Sequence, residues 1–154
     1  SPLREWVVWL LTNVPGLPPI AQGIHILAVA TILASAIMVC LRVIGIAVPT
    51  QQPAEMVARL KPWWYSALAV LTLTGGLFVI ARPARYLSNP VAGIKFAALL
   101  IALVLTAWVF GSVRRSGAES APLMLRAVAC AGVGAWLMVM LAGRWIAYAD
   151  YLFY

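Results

Sequence analysis

The hydrophobic residues of this chain fall into four long, predominantly apolar runs, separated by short segments that contain arginine, lysine or proline. The runs cover residues 20–41, 63–81, 91–113 and 123–142. A helix of about 18 or more apolar residues can cross the hydrocarbon core of a bilayer, which is roughly 30 Å thick. The pattern therefore predicts four membrane spans. Their short connections predict an all-α, up-down four-helix bundle that forms one membrane domain over residues 1–154.

A shorter amphipathic segment precedes the first span. Leu3, Trp6, Val7 and Leu10 recur at helical spacing, which predicts a helix over residues 3–14 lying in the membrane interface. Two further expectations concern the connections: a separate short surface helix at 54–60 and an irregular polar connection at 82–90.

The composition supports a lipid environment. Hydrophobic residues make up 64% of the chain and charged residues 10%, whereas soluble domains are nearer half apolar and a quarter charged. The net charge of +7 is explained by lysine and arginine at helix ends, where they contact lipid phosphates. No basic stripe with interleaved aromatic residues lies outside the runs, so nucleic acid is not an expected partner.

Membrane orientation follows from the distribution of basic residues. The positive-inside rule favours loops one and three in the cytoplasm, with both ends of the chain on the periplasmic side of a bacterial inner membrane. The basic residues on the side of the chain ends are Arg4, Arg82, Arg85, Lys95 and Arg144, and those on the other side are Arg42, Arg59, Lys61, Arg114, Arg115 and Arg126.

His25, the only histidine, lies about two turns into the first span. Polar side chains in a span are candidates for function and should face the bundle interior, because lipid offers them no hydrogen-bonding partner. The alternative is a neutral histidine that hydrogen-bonds to a neighbouring helix. Helical spacing places one stripe of residues on the inward face: Gln22, His25, Ala28, Ile32, Ser35 and Ala36.

Lys95 lies about one turn into the third span, at a depth similar to that of His25. It shares an inward stripe with Ala98, Ala102 and Thr106. With Arg82, Arg85 and Arg144 nearby, these residues predict a cationic pocket for a quinone head, a lipid phosphate or a substrate carboxylate. The alternative is that the cations only extend to the headgroups. The candidate pocket residues are Gln22, His25, Lys95, Arg144, Arg82 and Arg85.

The sequence lacks the residues that haem, metal, proton-relay and catalytic sites require. A b-type haem usually takes two histidines, so haem is disfavoured and His25 is only a weak candidate ligand. Cys40 and Cys130 are expected to be two buried free thiols without metal-site spacing. No acid lies in a span, and no nucleophile–base pair appears. We therefore expect no catalytic residues, metal or cofactor, although a quinone or lipid can bind.

Five short motifs carry a family resemblance. They are Gln22-Gly23-Ile24-His25, Leu41-Arg42-Val43-Ile44-Gly45, Lys61-Pro62-Trp63-Trp64, Thr74-Gly75-Gly76 and Arg85-Tyr86-Leu87-Ser88-Asn89-Pro90 followed by Lys95. Over residues 20–110 the chain resembles small bacterial four-helix inner-membrane proteins of unknown function, which are distantly similar to CopD and b-type cytochrome membrane domains. Cys40 replaces an acid of that pattern, and the Phe110 region replaces a histidine, so the resemblance implies a scaffold without a complete two-histidine site.

These observations favour a non-catalytic subunit that anchors or stabilises a larger electron-transfer complex, respiratory or photosynthetic, in a bacterial inner membrane. The alternatives are a quinone- or haem-binding electron carrier and a permease for small molecules or metals. Small residues are expected at helix contacts, with Gly76 in a contact and Leu99 towards lipid. These small residues are Gly75, Gly76, Ala127, Ala131, Gly134 and Ala135.

Overall fold

The computed structural model describes residues 1–116 and 121–148, and every regular element in those ranges is a helix. Four of the helices are long and apolar enough to cross a membrane. The prediction of an all-α membrane bundle is confirmed. The helices are α1 (Pro2–Asn13), α2 (Leu17–Ile44), α3 (Pro53–Ala81), α4 (Pro83–Leu87), α5 (Pro90–Ser116) and α6 (Leu123–Ile146).

Each predicted span lies within one long helix, but the helices extend beyond the apolar runs. Arg42, Arg115 and Arg144 lie in the last turns of α2, α5 and α6. Cations at these positions interact favourably with the partial negative charge at a helix C-terminus. A basic residue therefore ends the apolar run without ending the helix.

Two predicted connections differ from the structure. The segment 54–60 is not a separate surface helix, because α3 runs without interruption from Pro53 to Ala81 and carries Pro62 in its interior. Proline removes one backbone hydrogen bond from a helix, but the neighbouring turns remain helical here. The connection 82–90 contains the short helix α4, whose first residue, Pro83, has a fixed φ that suits a helix start.

The end of α2 has a backbone conformation that depends on glycine. Gly45 has a φ of +93°, and its N–H donates to the carbonyls of Leu41 and Arg42. The N–H of Ile46 also donates to the Leu41 carbonyl, at 3.0 Å. These bonds satisfy carbonyl groups that the helix end leaves without partners, so the chain turns sharply into the first loop.

The helices pack as two antiparallel pairs, α2 with α3 and α5 with α6, which are joined mainly by contacts between α2 and α6. Contacts between α3 and α5 are fewer and include the edge-to-face pair Trp64–Phe110. The main apolar cluster lies towards loops one and three. At the opposite end, every residue of α3 from 75 to 81 is only half-buried, so α3 is less tightly covered there.

Helix α1 packs on α3 and α2, and Val7 is its one buried residue. Leu3, Trp6 and Trp9 are each more than half exposed on its other sides. A short helix with apolar and aromatic residues exposed beside a membrane bundle matches the predicted interfacial helix.

Candidate functional site

The His25 ring projects from α2 onto α3. Its Nδ1 lies 2.7 Å from the Oγ1 of Thr74, and its ring meets Phe78 edge-to-face at 5.9 Å between centroids. Thr74 is buried and His25 is half-buried. The histidine therefore joins the two helices by a hydrogen bond inside the bundle.

The hydrogen bonds of Thr74 indicate which His25 nitrogen carries the proton. The Thr74 hydroxyl lies 2.7 Å from the Val70 carbonyl, to which it donates its single proton. When that bond is made, the hydroxyl can only accept from His25, and the proton is then on Nδ1; the reverse bond, from the Thr74 hydroxyl to Nδ1, would leave the proton on Nε2. In the first arrangement Nε2 carries a lone pair. Nε2 makes no hydrogen bond to a described residue, and it is not among the buried polar atoms without a partner.

Gly75 makes room for this ring. A Cβ atom at position 75 would lie 3.3 Å from the His25 Cε1, closer than an ordinary van der Waals contact, whereas a Cβ at position 76 would meet nothing within 4 Å. Leu99 packs partly buried against the apolar cluster. The expectation that Gly76 lies in a contact and Leu99 faces lipid was therefore wrong; the close glycine contact is at Gly75.

Lys95 projects from α5 onto α6. Its side chain lies along Gly143, where a Cβ atom would be 3.6 Å from both Cε and Nζ. Lys95 is half-buried. The one ion pair among the described residues joins Arg59 to Glu55, near the first loop. Within this part of the chain, Lys95 has no carboxylate partner.

Apart from Gln22, which is exposed, and the half-buried His25 and Lys95, the predicted inward stripes are buried in α2 and α5. Ala28, Ile32, Ser35 and Ala36 are buried in α2, and Ala98, Ala102 and Thr106 are buried in α5.

The other predicted pocket residues do not join His25 and Lys95 inside the bundle. Gln22 is exposed, because Ala21, one turn before His25, occupies the inward position. Arg82 and Arg144 are also exposed. Arg85 is half-buried, and its Nε is sealed from solvent without a hydrogen-bond partner among the described residues.

The described residues form surface clefts at two places that neither His25 nor Lys95 lines. One, of about 390 Å³, is lined by residues 86–90, Gly93 and Phe96. The other, of about 380 Å³, is lined by Arg42 and residues 49–52.

The residue types that commonly bind metal ions do not cluster in the described part of the chain. No three His, Cys, Asp or Glu side chains come together there. Cys40 is buried as expected, whereas Cys130 is exposed on α6, so the prediction of two buried thiols was half wrong. Glu119 and Asp150, predicted to lie outside the spans, are outside the described residues.

Sequence reasoning did not identify Thr74 as the partner of His25, although Thr74 is a polar residue within an apolar run. A second link of this kind joins α5 and α6, where Trp136 Nε1 donates to Thr106 Oγ1 at 2.8 Å. The signal in both cases is a threonine on a small-residue face of a span, which provides an acceptor for an aromatic N–H.

Comparison with known proteins gives a family but no described activity. The sequence profile of a family of unknown function (DUF6644) matches residues 16–149. No curated protein and no solved structure matches the chain significantly. The match covers the four spans together with the positions of His25, Thr74 and Lys95.

Proposed function

Because this chain belongs to the family of unknown function DUF6644, we propose its function from its own residues: it is a non-catalytic membrane subunit that anchors or stabilises a larger complex. The complex is an electron-transfer assembly of a bacterial inner membrane. The electron-transfer part is proposed only from the distant similarity to CopD and b-type cytochrome membrane domains that the motifs of residues 20–110 imply; the family match itself describes no activity. The anchoring role rests on the exposed face of α6.

The observation that carries this proposal is a stripe of small residues on α6 that the chain's own helices do not cover. Ala127, Ala131 and Gly134 are exposed, whereas Ala129 and Gly132 on the opposite side are buried in the bundle. Small residues let two membrane helices approach closely and pack by van der Waals contact. The exposed stripe therefore favours a helix of a partner subunit as its neighbour.

Purification from native membranes in mild detergent tests this proposal. We expect partner subunits to co-purify with the native chain and to be absent from the purified Gly134→Leu variant. A Cβ at Gly134 meets nothing within 4 Å, so the variant bundle should be at least as stable as the native one. Met140→Leu, at an exposed position of α6 away from this stripe, is the matched control. Purification of the chain alone, or partners that tolerate Gly134→Leu, would contradict the anchoring role.

A second candidate, a quinone- or haem-binding electron carrier, is favoured by the lone pair of His25 Nε2, which bonds to no described residue. That lone pair can ligate haem iron or accept a hydrogen bond from a ligand. Haem would need a second axial ligand from a residue other than histidine, because His25 is the only histidine. An absorption spectrum and an organic extract of the purified protein test this candidate. Absence of both a Soret band and an extractable quinone would eliminate it.

A further inference from the structure

The first loop forms a polar cleft against the end of α2. The cleft has a volume of about 380 Å³, and its walls are Arg42, Pro49, Thr50, Gln51 and Gln52. Arg42 is half-buried. Its Nε donates to the Gln51 carbonyl, and its Nη2 lies 3.5 Å from the Pro49 carbonyl. These contacts hold the guanidinium group in the wall of the cleft.

The polar groups around this cleft favour an anion as ligand. Arg42 directs part of its fork of N–H donors at the loop backbone, and the other N–H groups of the fork can bind a ligand. Thr50 and Gln52 are exposed and bring a hydroxyl and an amide to the same cleft. Gln52 precedes α3 without capping it through its side chain. Guanidinium groups bind phosphate oxygens through strong, charge-assisted hydrogen bonds.

The position of the cleft and the charge around it indicate which phosphate it meets. Arg42 directly follows the apolar run 20–41, so the cleft lies at the depth of the lipid headgroups when that run spans the hydrocarbon. Loops one and three carry six basic residues and two acids, Glu55 and Glu119, and Glu55 is paired with Arg59. A headgroup with its own ammonium group would bring a further cation to this basic face, whereas an anionic headgroup would not.

We propose that the first-loop cleft binds the phosphate of an anionic phospholipid. Arg42 is its charged partner, and Thr50 and Gln52 add neutral hydrogen bonds. Phosphatidylglycerol has the required chemistry, because it combines a phosphodiester charge with a headgroup that carries no ammonium group. The bound lipid connects the end of α2 with the start of α3, at the membrane face opposite to His25 and Lys95. This site does not depend on the proposed anchoring or electron-transfer role.

Native mass spectrometry of the delipidated full chain in mild detergent tests the proposal. Phosphatidylglycerol and phosphatidylcholine with the same acyl chains are titrated separately. We expect one phosphatidylglycerol to bind each chain at least about tenfold more tightly than phosphatidylcholine. Inorganic phosphate at the same concentrations should not displace the lipid, because it lacks the acyl chains that hold the headgroup at the membrane face.

Variants separate the cleft from the general charge of this membrane face. Arg42→Gln should weaken phosphatidylglycerol binding by about tenfold or more. Arg114→Gln is the matched control, because the exposed Arg114 belongs to the same face but is not part of the cleft wall. The control should bind the lipid as the native chain does.

A second variant avoids the structural role of Arg42, which also holds the first loop. The combined change Thr50→Val and Gln52→Ala keeps the bonds from Arg42 to the loop carbonyls. It should weaken phosphatidylglycerol binding by about fivefold, while the lipid-free chain should melt as the native chain does.

Four results would overturn the inference. Equal affinities for the two lipids would remove the charge selectivity, and equal losses in Arg42→Gln and Arg114→Gln would show only a general attraction to the basic face. Displacement by inorganic phosphate would make free phosphate the occupant. Glu119 lies outside the described residues, and a tenfold gain in lipid affinity from Glu119→Gln would show that a carboxylate of the chain itself occupies the cleft.

Discussion

At the scale of single residues, two adjacent glycines in α3 should respond differently to alanine. Alanine is about 1 kcal/mol better than glycine inside a helix, and a Cβ at Gly76 has free space around it. Gly76→Ala should therefore stabilise the bundle by up to about 1 kcal/mol. At Gly75 the new methyl group would lie 3.3 Å from the His25 Cε1. The methyl group would displace the ring and weaken its hydrogen bond to Thr74. The weaker bond costs about 1 kcal/mol, which offsets the gain in helix propensity.

Thermal unfolding of both variants in one detergent measures this difference. Gly76→Ala should melt above the native chain and Gly75→Ala below Gly76→Ala. The NMR spectrum of ¹⁵N-histidine-labelled protein should change only in Gly75→Ala. Identical melting and identical spectra would show that the ring does not depend on the missing Cβ.

The residues of the candidate site were only partly predictable. His25 and Lys95 stand out in the sequence because each is a polar side chain inside an apolar run. Gln22 was misplaced because a helical wheel gives spacing but not the rotation of the helix about its axis, and here Ala21 faces inward. Thr74 could not be assigned as the histidine partner, because the pairing depends on which helix packs beside α2.

At the scale of helices, the contact between α5 and α6 contains a buried hydrogen bond whose removal should be measurable. Trp136 is 2% exposed and Thr106 is 1% exposed, and the indole N–H donates to the threonine hydroxyl. Thr106→Val keeps the shape of the side chain but leaves the N–H unpaired. We expect a loss of about 1–2 kcal/mol in the free energy of unfolding.

A double-mutant cycle with Trp136→Phe isolates this bond from packing. In the Trp136→Phe background no N–H remains to be satisfied, so Thr106→Val should then cost much less. Thr72→Val, on an exposed face of α3, should have little effect in either background. Equal costs of Thr106→Val with and without the indole would contradict a role for the bond.

The helix ends show which part of a membrane helix an apolar run in the sequence identifies. It marks the segment that lipid can surround, but the backbone remains helical wherever caps and proline positions allow. Thus α3 passes through Lys61 and Pro62, and α2 continues past Arg42 until Gly45 ends it. The number and order of the spans follow from hydrophobicity, whereas their bounds depend on backbone hydrogen bonds.

At the scale of the whole molecule, the membrane orientation is a prediction from the positions of the basic residues. Basic residues act in topology when they flank the spans. Lys95 instead lies half-buried in the bundle against Gly143. Without it, four basic residues remain on the side of the chain ends, against six on the side of loops one and three. We therefore expect loops one and three to be cytoplasmic.

Cysteine labelling in intact bacteria tests this orientation. In a Cys40→Ala, Cys130→Ala background, single cysteines are introduced by Thr50→Cys in the first loop and Ser88→Cys in the second, where both native residues are exposed. A membrane-impermeant maleimide should label position 88 in intact cells with a permeable outer membrane, and position 50 only after the inner membrane is opened. The reverse pattern would contradict the orientation and would place His25 and Lys95 in the cytoplasmic half of the bilayer, because both lie towards the second-loop side. Labelling of both positions in intact cells would point to a mixed topology, which the small difference in charge would then explain.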